Sequence, residues 1–171
     1  SPAPNLSFIV PAHNEEHELA HALRALHHAA AAAHASYDVI VVDDASTDAT
    51  AQIAGQFNTR LVRINRRQIA AARNAGARLA RGEILFFIDA DTQITTAHVA
   101  RAREALDEGC SGGSARVRAD GHLPFFGAAL LHVFSTLYFA TGLGAGAFLF
   151  TRRELFEAVG GFDEQYFAGE E

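Results

Sequence analysis

Lysine, methionine and tryptophan are absent from this 171-residue sequence, and cysteine occurs once, at Cys110. All 14 cationic side chains are therefore arginines, and every lysine-dependent mechanism is excluded. One cysteine rules out an internal disulfide and leaves the redox compartment open. Twenty acids against 14 arginines give a net charge of −6, so there is no basic field to attract nucleic acid. No Gly-x-Gly-x-x-Gly follows the first apolar run, which removes the nucleotide-binding oxidoreductases. The opening SPAPN lacks a charged n-region and an apolar h-region, so no signal peptide is expected there. With no starting methionine and a stop at Gly169-Glu170-Glu171, inside a motif, the chain is expected to be a piece of a longer protein. What is there, 49% hydrophobic, suffices for one domain with a proper core.

Apolar runs alternate with helical patterns from the start. LSFIV (6–10) predicts a strand ending at Pro11. Asn14 is expected to cap a helix over 15–35, with Glu15 and Glu16 in its first turn, where the helix dipole favours anions. VIVVD (39–43), RLVRI (60–64) and ILFFI (84–88) predict three more strands. Helices are expected over about 48–57, 68–80 and 96–108, with Gly82 ending the second of these. Continuously apolar strands are buried on both faces, which means parallel strands covered by helices. The first hundred residues thus predict an α/β fold, a Rossmann-like, doubly wound, mostly parallel sheet with helices on both faces. Such sheets bind ligands at the carboxyl ends of their strands. His13, Asp44, and Asp89 with Asp91 all follow strand ends and should converge on one cleft.

The rhythm changes after residue 110. GCSGGSARVRADG can form a strand. From Gly121 to Thr151 there is no Asp, Glu, Lys or Arg. Pro124 and the Gly142, Gly144, Gly146 series divide this apolar stretch into a helix of about 125–141 and a short strand at 147–150. Ordinary packing is the preferred reading of that helix, ahead of an interfacial or partner-covered helix and a membrane span.

In ILFFIDADT (84–92), five apolar residues run into two carboxylates one residue apart. Hard cations such as Mg²⁺ or Mn²⁺ accept one or two carboxylates, with water and phosphate oxygens completing the shell. A metal-neutralised nucleoside diphosphate is a good leaving group. A solvated acidic loop is the plain alternative, but two further acidic stretches weigh against it: Asp43-Asp44-Ala45-Ser46-Thr47-Asp48, and Glu170-Glu171 after GGFDEQYF.

FIVPAHNEE (8–16), VIVVDDASTDAT (39–50), AARNAGARLARGEILFFIDADT (71–92) and VGGFDEQYFAGEE (159–171) occur in this order, and together they resemble family 2 glycosyltransferases of the GT-A fold. The resemblance implies inverting transfer of a sugar from a nucleotide-diphosphate donor to an acceptor hydroxyl, assisted by Mn²⁺ or Mg²⁺. By that resemblance Pro11, His13 and Glu15 contact the nucleoside, His13 standing where a tyrosine is usual. Asp44 accepts from the base, and Arg73 reaches toward the base or diphosphate. Asp89, with Ala90, lies near the ribose or sugar. Asp91 is the metal ligand and Gln93 assists it. The family's base is the Asp of a Glu-Asp pair; here Glu171 takes its position, with Glu170 as the alternative. Structural readings compete: a helix cap for Glu15, a turn for Asp44, a surface ion pair for Arg73.

The expected layout is a single domain over 1–171, with a nucleotide-sugar half (1–109) and an acceptor half (110–171). Expected partners are the donor and a sugar or lipid-linked acceptor, in the cytoplasm or at the inner face of the membrane. Two rivals belong to other classes. The hhhhDxDxT pattern also fits haloacid-dehalogenase-like phosphatases, but those place it on the first strand and use a lysine. A catalytically degenerate sugar-nucleotide binder is favoured by the glutamate at the base position. His13, His17 and His21, spaced four apart, could mimic a zinc site, but a solvated helix face is the preferred reading.

Overall fold

The computed structural model describes residues 4–114 and 147–165. Its elements are β1 (Leu6–Ala12), α1 (Leu19–Ala32), β2 (Tyr37–Asp44), α2 (Thr50–Ala54), β3 (Arg60–Ile64), α3 (Ile69–Leu79), β4 (Ile84–Ile88), α4 (Thr96–Asp107), β5 (Gly112–Ser114), β6 (Phe148–Arg152) and a last short helix, α5 (Arg153–Ala158). One sheet holds all six strands in the order β3-β2-β1-β4-β6-β5. β1, β2, β3 and β4 pair in parallel, with Phe8 opposite Val39 on one side and Phe86 on the other. β6 runs antiparallel to both β4 and β5. Strand order reverses between β1 and β4, and a crevice opens at the carboxyl ends where an α/β sheet turns back on itself.

The parallel, two-sided burial expected of the apolar runs is what the fold shows. Phe8, Val10, Val39, Val41, Phe86 and Ile88 face one layer, against Leu19, Leu23 and Leu26 of α1 and Val99 of α4. The alternate residues Ile9, Ile40, Val42, Leu85 and Phe87 face the other, against Ala72 and Ala75 of α3. Burying one such side chain contributes about 1.5–3 kcal/mol. α3 lies so close to the sheet that a Cβ on Gly76 would sit 2.4 Å from Ile9 Cγ2. The edge strand β3 is only partly buried, with Arg63 pointing to solvent.

Three local expectations need correction. β1 continues through Pro11 to Ala12, because its pairing with β4 ends at Ile9 and a proline beyond that point costs no ladder bond on that side. Asn14 does not cap α1: it is left-handed, with φ 54°, and Glu15–Glu18 form a preceding turn, so Glu15 and Glu16 stand outside the helix. Gly82 is not a left-handed helix stop. The C-cap of α3 is Ala80 in extended conformation, and Gly82 is small because a Cβ there would lie 2.5 Å from the carbonyl carbon of Leu6.

Candidate functional site

Four loops leave the carboxyl edge of the sheet, and they are tied to one another by side chains. The loop after β1 and the loop after β2 are stitched reciprocally. Glu16 N–H donates to Asp48 Oδ2 (3.1 Å), and Ala49 N–H donates to Glu16 Oε2 (3.1 Å). Asn14 N–H donates to Ser46 Oγ (3.0 Å), and Asn14 Oδ1 accepts from Thr47 N–H (2.8 Å). Glu15 N–H donates to Thr50 Oγ1 (2.8 Å). These bonds hold the left-handed Asn14 and leave the Glu15 carboxylate, which accepts none of them, to face the site. Ala45 is left-handed as well, with φ 59°. Such conformations persist only where surrounding bonds over-determine them.

His13 follows β1 and its Nδ1 lies 2.7 Å from the Asp44 carbonyl oxygen. A carbonyl only accepts, so Nδ1 carries the proton and Nε2 is left to accept from the Asn14 amide at 3.3 Å. Pro11 and Ala12 are buried beneath. Asp44 is 4% exposed. Its Oδ1 accepts from Arg66 N–H (2.7 Å) and its Oδ2 from Gln68 N–H (2.9 Å), so the carboxylate organises the loop after β3. Each oxygen keeps a further lone pair for a ligand donor.

At the end of β4, Asp89 is gripped from α3: Arg73 Nη2 donates to Asp89 Oδ1 at 3.0 Å. Arg73 is itself buried, its guanidinium 5.4 Å from the Phe162 ring centre. Arg73 is buried and Asp89 half-buried, so the surface-ion-pair reading of Arg73 does not hold. Ala90 is buried, whereas Asp91 and Gln93 are exposed, and among the described residues Asp91 receives only the Thr92 hydroxyl at 3.3 Å.

The acids repel one another. Burial pushes the Glu15 carboxyl above its ordinary value of 4.5, and Asp91, Asp48 and Asp89 add to the rise. Asp89 is likewise held above 3.8, by burial and then by Asp91, against the pull of Arg73. Asp48 goes the other way: burial would raise it, but bonds from Thr50 and Glu16 outweigh that and lower it. The sequence-predicted Glu15, Asp89 and Asp91 thus share one electrostatic environment, with Asp48 added to them. A hard cation would relieve this crowding, and Asp91 is the accessible carboxylate for it. Among the described residues no three His, Cys, Asp or Glu side chains form a ready-made metal cage. One or two carboxylates completed by water and phosphate oxygens need no such cage, so the donor set fits Mg²⁺ or Mn²⁺. The zinc alternative finds no support in the arrangement, since His13 is tied to Asp44 and His17 lies 88% exposed.

Several positioning residues escaped the sequence reading. Asp48 and Thr50 carry a recognisable Asp-x-Thr spacing. Asn74 adjoins Arg73, and its amide holds Phe162 N–H, Phe162 C=O and Glu164 Oε1, each at 2.9 Å. Glu170, Glu171 and the expected helix at 125–141 lie outside the described residues. Among the described residues, no helix is long and apolar enough to cross a membrane.

Parallel strands ordered 3-2-1-4 and continued by the antiparallel β6, with acids grouped after their carboxyl ends, are the arrangement of a GT-A-like fold. The chain belongs to glycosyl transferase family 2, whose profile matches residues 7–159. Glycosyltransferase AglE of Haloferax volcanii is 35% identical over 97 residues, 53% of this chain and 32% of that protein. Succinoglycan biosynthesis protein ExoO of Rhizobium meliloti is 32% identical over 108 residues, 61% of this chain and 30% of that protein. The mannosyltransferase PcManGT from Pyrobaculum calidifontis, solved with GDP-Man and Mn²⁺, superposes with a TM-score of 0.73 at 25% identity, over 96% of this chain and 49% of that one. The chain therefore spans about a third of the curated relatives it matches.

Proposed function

We propose that this domain binds a nucleoside-diphosphate sugar at the carboxyl edge of its sheet and passes the sugar to an acceptor hydroxyl with inversion. The observation that carries the reading is the pairing of an exposed Asp91 with an Arg73-held Asp89 at the reversal point of the sheet. His13, Pro11 and the buried Asp44 form the nucleoside end, with Glu15 beside them. Asp89 and Ala90 flank the ribose or sugar, and Arg73, which holds Asp89, reaches toward the base or diphosphate. Asp91, with Gln93, would hold a divalent cation, which when bound supplies the charge that stabilises the departing diphosphate. The Mn²⁺ and GDP-Man of the Pyrobaculum relative support this assignment.

Inversion requires a base on the sugar face opposite the leaving group. Family resemblance puts that base at Glu171, with Glu170 as the alternative, in the acceptor half. A glutamate abstracts a proton by the same chemistry as an aspartate, with one methylene more reach. Localisation at the inner face of the membrane, and a lipid-linked acceptor, belong to the same proposal; the uncharged 121–151 stretch supports them only if the helix expected there is interfacial rather than packed in the ordinary way. The test is a thermal-shift screen of UDP-, GDP-, CMP- and dTDP-sugars with and without Mn²⁺. Binding to the folded state raises apparent stability by mass action, so the matching nucleotide should raise Tm, and more so with metal. No shift with any sugar nucleotide would overturn the proposal; a shift without sugar transfer by the full-length protein would leave a binding module.

A further inference from the structure

The acceptor-side motif GGFDE does not stay on its own side of the molecule. After α5, Gly160 and Gly161 are both left-handed, with φ 85° and 83°, and turn the chain back over α3. A Cβ on Gly161 would lie 2.7 Å from Asn74 Oδ1. Asn74 then fastens Phe162 through both its N–H and its C=O. This delivers Glu164 to the loop after β3, where it makes three separate contacts. Its carboxylate accepts from Asn74 Nδ2 (2.9 Å) and lies 3.3 Å from Arg66 Nη2, while its backbone carbonyl accepts from Gln68 Nε2 (2.6 Å). Arg66 and Gln68 are the two residues whose backbone N–H groups hold the Asp44 carboxylate. Between them stands Arg67, left-handed at φ 49°.

The 65–68 loop is thus gripped twice by acids, from below by Asp44 and from above by Glu164. Asp44 reads backbone amides and shapes the loop. Glu164 reads the side chains of the same two residues and fixes where the loop sits relative to α3. We propose that Glu164 is a positioning residue for the nucleoside end of the site, linking the acceptor-side GGFDE segment to the loop that orients Asp44. The proposal rests on the nucleotide-sugar reading above. It predicts that the two halves of the site are coupled: whatever moves GGFDE on the acceptor side is felt as a change in nucleoside affinity.

The test compares Glu164→Ala and Glu164→Gln with the parent in the full-length protein. Amide hydrogen exchange comes first, since it needs no ligand. Loss of the Glu164 carboxylate removes its contacts with Arg66 and Asn74 while its carbonyl still accepts from Gln68, so exchange should speed most at Arg66, with the β1 and β2 amides still protected and Glu164→Gln in between. Calorimetry with UDP and GDP should then show about three- to tenfold weaker binding in Glu164→Ala, the scale of one lost hydrogen-bonded contact. Binding of Mn²⁺ with inorganic pyrophosphate, which has no base, should not change. A general loss of stability would instead speed exchange throughout and weaken both ligands. Unchanged exchange at Arg66 would overturn the proposal, as would unchanged nucleotide affinity in a protein whose parent binds. A parent that binds neither nucleotide would overturn the functional reading, while the exchange result still decides whether Glu164 holds the loop.

Discussion

The two ends of the parallel sheet are built to opposite purposes. At the amino end, Ser7 Oγ donates to Asp38 and accepts from Gly82 N–H (2.8 Å) and Arg81 N–H (3.2 Å). Asp38 Oδ2 lies 3.9 Å from both Arg60 and Arg81, so that acid is surrounded by donors and cations. At the carboxyl end, Glu15 and Asp89 are pushed upward by burial and then by acidic neighbours, and three of the four left-handed non-glycine residues among those described, Asn14, Ala45 and Arg67, sit in the loops there. One end sets its acid among cations, although Asp38 Oδ2 and His27 Nε2 are buried there without a hydrogen-bond partner among the described residues; the other crowds acid against acid and concentrates the left-handed backbone. On the proposed function, a cation and a diphosphate would relieve that crowding, and its presence without them is the usual cost of function in a marginally stable protein.

Breaking the carboxyl end should have the largest effect on binding and little on stability. Asp91→Asn should reduce metal-dependent nucleotide-sugar affinity by more than about 100-fold, since losing a ligand exceeds the 10–100-fold typical of losing its supporting partner. Its Tm should stay at the parental value; equal titrations of variant and parent with Mn²⁺ present would remove Asp91 as the ligand. Breaking the amino end should do the reverse. Gly82→Ala drives a Cβ against the backbone of Leu6 and should cost about 3 kcal/mol, the upper end of overpacking. That corresponds to a drop of about 6–12 °C in Tm, with nucleotide affinity retained in the fraction still folded.

The two ends should also answer pH with opposite signs. His27, against Tyr37 at the start of β2, is held below its ordinary 6.5 by burial. The unfolded chain therefore takes up that proton first, and stability should fall as pH drops below about 6.5. Replacing His27 with asparagine should flatten this limb of a urea-denaturation series. Glu15 and Asp89 are raised, so the folded state binds their protons more readily and the sheet's carboxyl end gains stability as pH falls through their folded values. The smallest effect follows from that: Glu15→Gln should raise the metal-free Tm slightly, by no more than about 0.5 kcal/mol of stability, and shrink the added stabilisation by Mn²⁺. A fall in metal-free stability would show that Glu15 carries bonds the repulsion argument omits.

Much of this was legible because it is local. β3 and β4 carry the bounds read from RLVRI and ILFFI, and ILFFI declares itself most clearly because a buried parallel strand needs a continuous apolar run. Placing His13, Asp44, Asp89 and Asp91 after strand ends required only the direction of a parallel sheet. The start of α1 was misjudged because Asn14 has the chemistry of an N-cap and is used instead as a left-handed bridge to Ser46 and Thr47. Gly82 was misjudged because glycine serves both left-handed turns and tight approaches, and only the distance to Leu6 separates the two.

The sequence by itself determined the parallel strands, the helices that cover them and the strand ends on which the acids lie, because continuous apolar runs and helix periodicity are properties of short stretches. Tertiary structure alone decided which donor meets which carboxylate. Asp44 holding the amides of Arg66 and Gln68, Arg73 reaching Asp89, and Glu164 returning across some ninety residues to Asn74 are contacts between distant segments. A carboxylate accepts equally well from many partners, and nothing in its own neighbourhood specifies one. Only chain reversal at Gly160 and Gly161, and the close seat of α3 on β1 that Gly76 permits, select among them.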